Sequence, residues 1–133
     1  MLSSLSLALS SCKNKRIEAI DLYNVETGSD FVQMFASLTA YNNLMEIHVC
    51  SSNIGSIGCM ALSDLLQNPA SKIDKLDLME TTLDDDCIAT LSTGLIGNNS
   101  VKLLDMRIDS KVSATGWGRF CEVLSHPNRI SVD

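Results

Sequence analysis

Leu44-Met-Glu-Ile47-His-Val49-Cys-Ser-Ser-Asn-Ile54-Gly-Ser-Ile-Gly58-Cys-Met-Ala-Leu62 changes its apolar period halfway along. Leu44, Ile47 and Val49 hold the first, fourth and sixth places of a six-residue segment, the pattern of a short strand with one buried face. Beyond the loop apolar Ile54, Leu62, Leu65 and Leu66 recur at i, i+3 and i+4, which puts one apolar stripe on a helix. The same strand-then-helix order is written elsewhere in the chain. Ile17-Glu-Ala-Ile20-Asp-Leu22, Ile73-Asp-Lys-Leu76-Asp-Leu78 and Val101-Lys-Leu-Leu104-Asp-Met106 are apolar at the same three places. Their closing residues Leu22, Val49, Leu78 and Met106 lie 27, 29 and 28 residues apart. Leu83 and Val112 repeat the loop apolar. Further helical stripes are Phe31/Met34/Phe35/Leu38, Cys87/Leu91/Leu95 and Trp117/Phe120/Cys121/Leu124. Pro69 and Pro127 fall just past a last core leucine, where the helical ladder cannot continue, and Gly97 is placed to end the third stripe in a left-handed turn.

A fixed period of this kind marks a repeat architecture. The unit resembles the leucine-rich repeat in its longer, ribonuclease-inhibitor-like form of about 28 residues, with a true helix in each unit. Leu44 to Leu62 looks like the repeats of cytoplasmic NOD-like receptors and of Ran GTPase-activating proteins. The resemblance spans residues 17–133 and implies an α/β fold: a right-handed βα solenoid, or horseshoe, with parallel strands concave and helices convex. Residues 1–133 then form a single array of about four repeats, with strands near 17–22, 44–49, 73–78 and 101–106. The departures are specific. The asparagine expected at the ninth place is Val25, Ser52, Thr81 and Asp109 in turn, which weakens the side-chain ladder that would satisfy loop backbone groups. The glycine before the helix survives as Gly58 and Gly116 but is replaced by Phe31 and Cys87. Leu2, Leu5 and Leu9 carry a helical spacing ahead of the first strand, and Ile130-Ser-Val-Asp133 opens a fifth. Neither end shows a polar capping repeat, so the expectation is a fragment of a longer array, or self-association through uncapped ends.

No single unit can bury its own apolar face, so neighbours stack and share a core. Stacked strands sit about 4.8 Å apart and packed helices about 8–10 Å apart, and that mismatch bends the stack. With places one, four and six inward, places three, five and seven face outward on the strand side. Place five reads Asp21, His48, Asp77, Asp105. Place seven reads Tyr23, Cys50, Met79, Arg107, and place three reads Ala19, Glu46, Lys75, Leu103. Asp21, Tyr23, Glu46, His48, Lys75, Asp77, Met79, Asp105 and Arg107 are therefore the candidate protein-binding residues, with Tyr23, Met79 and Arg107 the richest in contact energy. One histidine among carboxylates on a shallow surface is a poor transition-metal site, and no nucleophile or oxyanion donors converge on it.

The remaining features exclude more than they suggest. The chain has 133 residues, 45% hydrophobic and 20% charged, the composition of one ordered globular domain rather than of a disordered or collagen-like chain. Met1 to Cys12 is too short and serine-rich to span a bilayer. A net charge of −6 disfavours nucleic acid as a partner. Cys12, Cys50, Cys59, Cys87 and Cys121 are odd in number and form no CxxC, so a zinc ribbon or thioredoxin motif is absent, and buried or half-buried thiols in a reducing, cytoplasmic compartment are expected. Leu9-Ser10-Ser11-Cys12 looks like a lipoprotein box but has no Lys or Arg ahead of it. Asn98-Asn99-Ser100 is a glycosylation sequon by pattern. Asp84-Asp85-Asp86 suits a helix N-terminus, lacking the spacing and central glycine of a calcium loop. Gly55-Ser-Ile-Gly58 lacks the Lys-Ser/Thr of a phosphate loop, Trp117 suits the core, and His126 suits a helix C-terminus. The expected function is non-enzymatic: a module binding a partner protein through the strand face and adjoining loops, with no cofactor, metal, nucleic acid or membrane. The alternative is a fragment of a larger regulatory protein, a NOD-like receptor sensor region or a GTPase-activating protein.

Overall fold

The computed structural model describes residues 2–13, 16–26, 28–107 and 111–125. Helix α1 (Leu2–Ser11) is followed by β1 (Ala19–Tyr23), α2 (Gly28–Leu38), β2 (Glu46–Cys50) and α3 (Gly55–Gln67). Then come β3 (Lys75–Asp77), α4 (Asp85–Leu95), β4 (Leu103–Asp105) and α5 (Ala114–Leu124). The strands form one parallel sheet in the order β1-β2-β3-β4, and each helix packs on the next in sequence. Every step along the chain thus moves one place along the sheet and one place along the helix layer.

The register is the one the sequence repeat demands. Ile20, Ile47, Leu76 and Leu104 pair in one row, and Leu22 pairs with Val49. From β2 and β3, Ile47, Val49, Leu76 and Leu78 join Phe31, Met34, Phe35, Leu38, Leu62, Leu66, Leu91 and Leu95 in a single core. These helix residues are the predicted stripes, and each is almost fully buried. Truncating one such leucine to alanine removes about 2–5 kcal/mol.

The strands start later and run shorter than 17–22, 44–49, 73–78 and 101–106. Place one of each unit precedes the ladder because two successive N–H groups share one carbonyl there. Met45 and Glu46 both donate to Glu18 O, Asp74 and Lys75 to Met45 O, and Lys102 and Leu103 to Asp74 O. Leu44, Ile73 and Val101 are nevertheless buried, and Ile17 is half-buried. A second correction concerns glycine: Gly58 and Gly116 stand inside the first turns of α3 and α5, not ahead of them. A third is Cys121, which is exposed although it completes a stripe, because α5 packs on α4 alone among the described helices. Trp117, on the same helix, is half-buried and meets Phe120 edge-on with ring centroids 5.8 Å apart.

Turns and caps repeat as well. Asn24, Ser51 and Glu80, each two residues past the closing apolar of its strand, share a left-handed backbone with φ of 56°, 49° and 58°. The ninth-place residues beyond them are buried, and hydroxyls stand in for the missing asparagine. Ser52 Oγ accepts from Val25 N at 2.9 Å and donates to Cys50 O at 2.8 Å, while Thr81 Oγ1 donates to Leu78 O. Backbone bonds from Asn53 N to Val25 O and from Thr82 N to Ser52 O continue the ladder past the strands. At helix ends, Tyr41 Oη donates to Leu9 O at 2.9 Å and Asn98 Nδ2 to Leu66 O at 2.8 Å. Each bond lands on a last-turn carbonyl of the helix one unit back, and Leu9 O also accepts from Cys12 N at 3.3 Å. Gly97 ends α4 with φ of 72°, as its position predicted, and α3 ends two residues before Pro69. Asp109, His126, Pro127 and the Ile130–Asp133 segment lie outside the described residues.

Candidate functional site

With places four and six turned into the core, the other face of the sheet is left without a covering element among the described residues. Asp21, His48, Asp77 and Asp105 pair in one row across it, and Ala19, Glu46, Lys75 and Leu103 in the next. Tyr23 stands opposite Cys50 at the end of β1 and is 68% exposed. The structure thus brings together the sequence-derived candidates Asp21, Tyr23, Glu46, His48, Lys75, Asp77 and Asp105 on one surface. Met79 and Arg107 fall just past β3 and β4. Cys50 departs from expectation: it is 8% exposed, not open like the rest of its row.

Glu46 is the hub of the central pair. Its Oε2 lies 3.0 Å from His48 Nε2 and 3.4 Å from Lys75 Nζ, and these two donors hold its carboxyl below the usual range, the histidine bond contributing most. His48 Nδ1 lies 3.6 Å from Asp77 Oδ2, so the ring spans a carboxylate on its own strand and one on β3. The sequence pointed to Asp21 and Asp77 as its flanking carboxylates. Glu46 supplies the shorter contact because residues two apart on a strand share a face.

Asp77 and Asp105 behave alike. Each accepts from the backbone N–H two residues on: Met79 N at 2.9 Å for Asp77, Arg107 N at 3.1 Å for Asp105. Asp105 also receives Arg107 Nη2 at 2.6 Å and Nε at 3.0 Å, a forked pair that lowers its own pKa and raises that of the guanidinium. Burial pushes the Cys50 thiol up, and the charges of Asp77 and Asp21 add to it, so it stays neutral. Three of the carboxylates on this face, Glu46, Asp77 and Asp105, are thus already engaged by donors. Among the described residues no group of three or more His, Cys, Asp or Glu is placed to hold a metal ion, and no helix is long and apolar enough to cross a membrane.

Sequence reasoning missed a polar cleft beside this face, at the ends of the strands. Asn24, Glu26, Ser51, Ser52, Asn53, Glu80 and Thr82 line about 270 Å³, and Ser51 Oγ donates to Glu80 Oε2 at 2.7 Å. The repeated polar residue just past each strand was the available signal.

Comparison with known proteins places the chain in context. No family model matches it. It is 31% identical over 91 residues, 68% of its length, to NACHT, LRR and PYD domains-containing protein 14 of Homo sapiens, of which it covers 8%. It is 30% identical over 94 residues, 71% of its length, to protein 9C of the same name in Mus musculus, covering 9%. A third relative, protein 12 of Homo sapiens, is 29% identical over 92 residues, 69% of this chain and 9% of that protein. The chain spans less than a tenth of the length of these relatives. Over about two thirds of its length it is a distant relative of the NACHT, LRR and PYD domains-containing proteins.

Proposed function

We propose that this chain is a protein-interaction module built as a leucine-rich-repeat solenoid. Its parallel sheet lines the concave side of a horseshoe, and its helices form the convex side. The observation that carries the reading is the aligned set of outward rows, Asp21–His48–Asp77–Asp105 and Glu46–Lys75–Leu103, presented on a sheet whose other face packs against the core. Tyr23, Met79 and Arg107 border those rows and supply the side chains that dominate binding energy. The reading is non-enzymatic and needs no cofactor. It takes a protein partner rather than nucleic acid or membrane, and places the module in the cytoplasm. The acidic balance of the face supports that choice, because a phosphate backbone meets net repulsion there.

The test is a co-purification of the native partner with face variants. Asp21→Lys, Asp77→Lys, Tyr23→Ala and Arg107→Glu together are expected to abolish recovery, and Tyr23→Ala alone to weaken binding about thirtyfold, the effect of about 2 kcal/mol at a hot spot. Asp64→Lys, on the exposed side of α3, leaves recovery unchanged. Equal recovery from the wild type and the quadruple variant overturns the assignment.

A second reading has specific support. The matched relatives carry NACHT, LRR and PYD domains by name, and this chain matches only a small part of each. On that reading the module is the repeat portion of a larger regulatory protein, and the relatives favour a NOD-like receptor over a GTPase-activating protein. A contiguous transcript encoding a nucleotide-binding segment supports it; a transcript encoding a GTPase-activator instead removes it.

A further inference from the structure

One cavity lies at the β4 end of the sheet and takes in Leu103, Asp105 and Arg107 from the strand face. It opens between β4 and α5, measures about 580 Å³, and is walled by Leu103, Leu104, Met106, Trp117, Phe120 and Leu124. At the opposite limit of the described helix layer stands α1, whose ten residues include no charged side chain, whereas α2, α3, α4 and α5 each carry at least one. Helix α1 turns Ser6, Leu9 and Ser10 toward α2, where Ser6 and Ser10 meet the Ser37 hydroxyl at 2.8 and 3.0 Å. Helical periodicity puts Ser4 and Ala8 on the opposite side, with Leu5 and Leu7 on its shoulders. All four are exposed, and Leu7 is 72% so. An uncharged helix with leucines on both shoulders has the composition of one covered on more than one side.

We propose that the chain associates head to tail with a second copy of itself, the free side of α1 seating in the groove between β4 and α5. Three observations carry this. The first is continuity with the interfaces already present: among the described helices α1 packs on α2 alone and α5 on α4 alone, so the contact adds one more step to the existing helix layer. The second is shape, because the small Ser4 and Ala8 let a helix approach closely while Leu5 and Leu7 reach into an apolar groove. The third is charge: α1 brings none into a groove whose apolar wall is bordered by Lys102 and by Asp105 and Arg107, the last two already paired with each other. Two different surfaces meet in this contact, so it is heterologous, and the assembly lengthens instead of closing as a dimer. The groove shares Leu103, Asp105 and Arg107 with the strand face, so the α1 variant, which touches no strand-face residue, is the one that tells this inference from that reading.

Sedimentation velocity on the full chain, with Trp117 emission as a second readout, tests it. The chain has one tryptophan, so the signal reports the groove directly. The expected result is a weight-average mass that climbs past the dimer as concentration rises, with a blue shift of Trp117. Ala8→Glu and Leu124→Glu are each expected to weaken association at least about tenfold, the effect of 1.4 kcal/mol or more. Leu103→Glu, at an exposed position, replaces Leu124→Glu should the latter lose its helical circular dichroism. Mixing the α1 variant with the groove variant leaves one intact surface on each, so the mixture forms a one-to-one dimer that grows no further. A folded 14.4 kDa monomer at every concentration overturns the proposal, as does a wild-type assembly that stops at two copies. A groove whose Trp117 is shielded in the monomer also overturns it, because the chain itself then fills the cavity.

Discussion

At the scale of single residues, the recurring event is a side chain that satisfies a backbone group of the neighbouring unit. Asn98 does most. Its amide donates to Leu66 O, and its Oδ1 accepts from Ser100 N at 3.0 Å and Val101 N at 2.9 Å. By pattern this residue opens a glycosylation sequon, but it is buried with its nitrogen already engaged. Asn98→Ala is expected to cost about 1–3 kcal/mol in urea unfolding, since buried carbonyl and amide groups lose their partner. Secretion of the folded chain through a glycosylating host should add no glycan mass at Asn98. Asp84 is the simpler case, and the sequence showed it: its Oδ1 accepts from Cys87 N at 2.9 Å and caps α4. That backbone bond is the main cause of its lowered pKa. A carboxylate depressed in the folded state contributes stability above its unfolded pKa of about 3.9, and that contribution disappears as pH falls through the folded value. Asp84→Ala should cost about 1 kcal/mol at pH 7. The difference between wild type and Asp84→Asn should shrink as unfolding is measured at progressively lower pH from 5 downward.

Elements show where a repeat pattern reads well and where it stops. The helix stripes were legible because 3.6-residue periodicity and burial are the same fact seen from two sides. Strand limits were not, because whether place one joins the ladder depends on two N–H groups sharing a carbonyl of the adjacent strand, which no local pattern records. Glycine needed the structure too. In α5, a Cβ on Gly116 would lie 2.4 Å from Asp85 Oδ1, the carboxylate that binds Ser113 N at 2.7 Å and Ser113 Oγ at 2.6 Å. A Cβ on Gly118, two residues further, meets nothing within 4 Å. Gly116→Ala should therefore destabilise by about 1–3 kcal/mol through overpacking. Gly118→Ala should stabilise by about 0.5–1 kcal/mol through helix propensity. Thermal unfolding of the two single variants compares them within one helix, and a gain at Gly116 would show that Asp85 moves aside at no cost.

For the whole molecule, stability is unevenly spread because burial is. The apolar residues of β2 and β3 are buried, whereas Leu104 and Met106 of the last unit are partly exposed and Trp117 and Leu124 are only half-buried. Units that contact only their sequence neighbours contribute stability locally, so openings should begin where one neighbour is missing among the described elements. Native-state hydrogen exchange is expected to be slowest in β2, α3 and α4 and at least about tenfold faster in β4 and α5. Uniform protection across the units would contradict it. The order of elements, the pairing of strand n with strand n+1 and the register Ile20–Ile47–Leu76–Leu104 were all determined by the sequence, because a repeat of 27 to 29 residues aligns its own apolar places. Which outward residues touch was decided by the folded sheet: Glu46 rather than Asp21 binding His48, Cys50 closing over, and Asp85 reaching Ser113. Periodicity records which way a side chain points, whereas contact depends on rotamers and on distances between strands far apart in the chain, and only tertiary packing sets those.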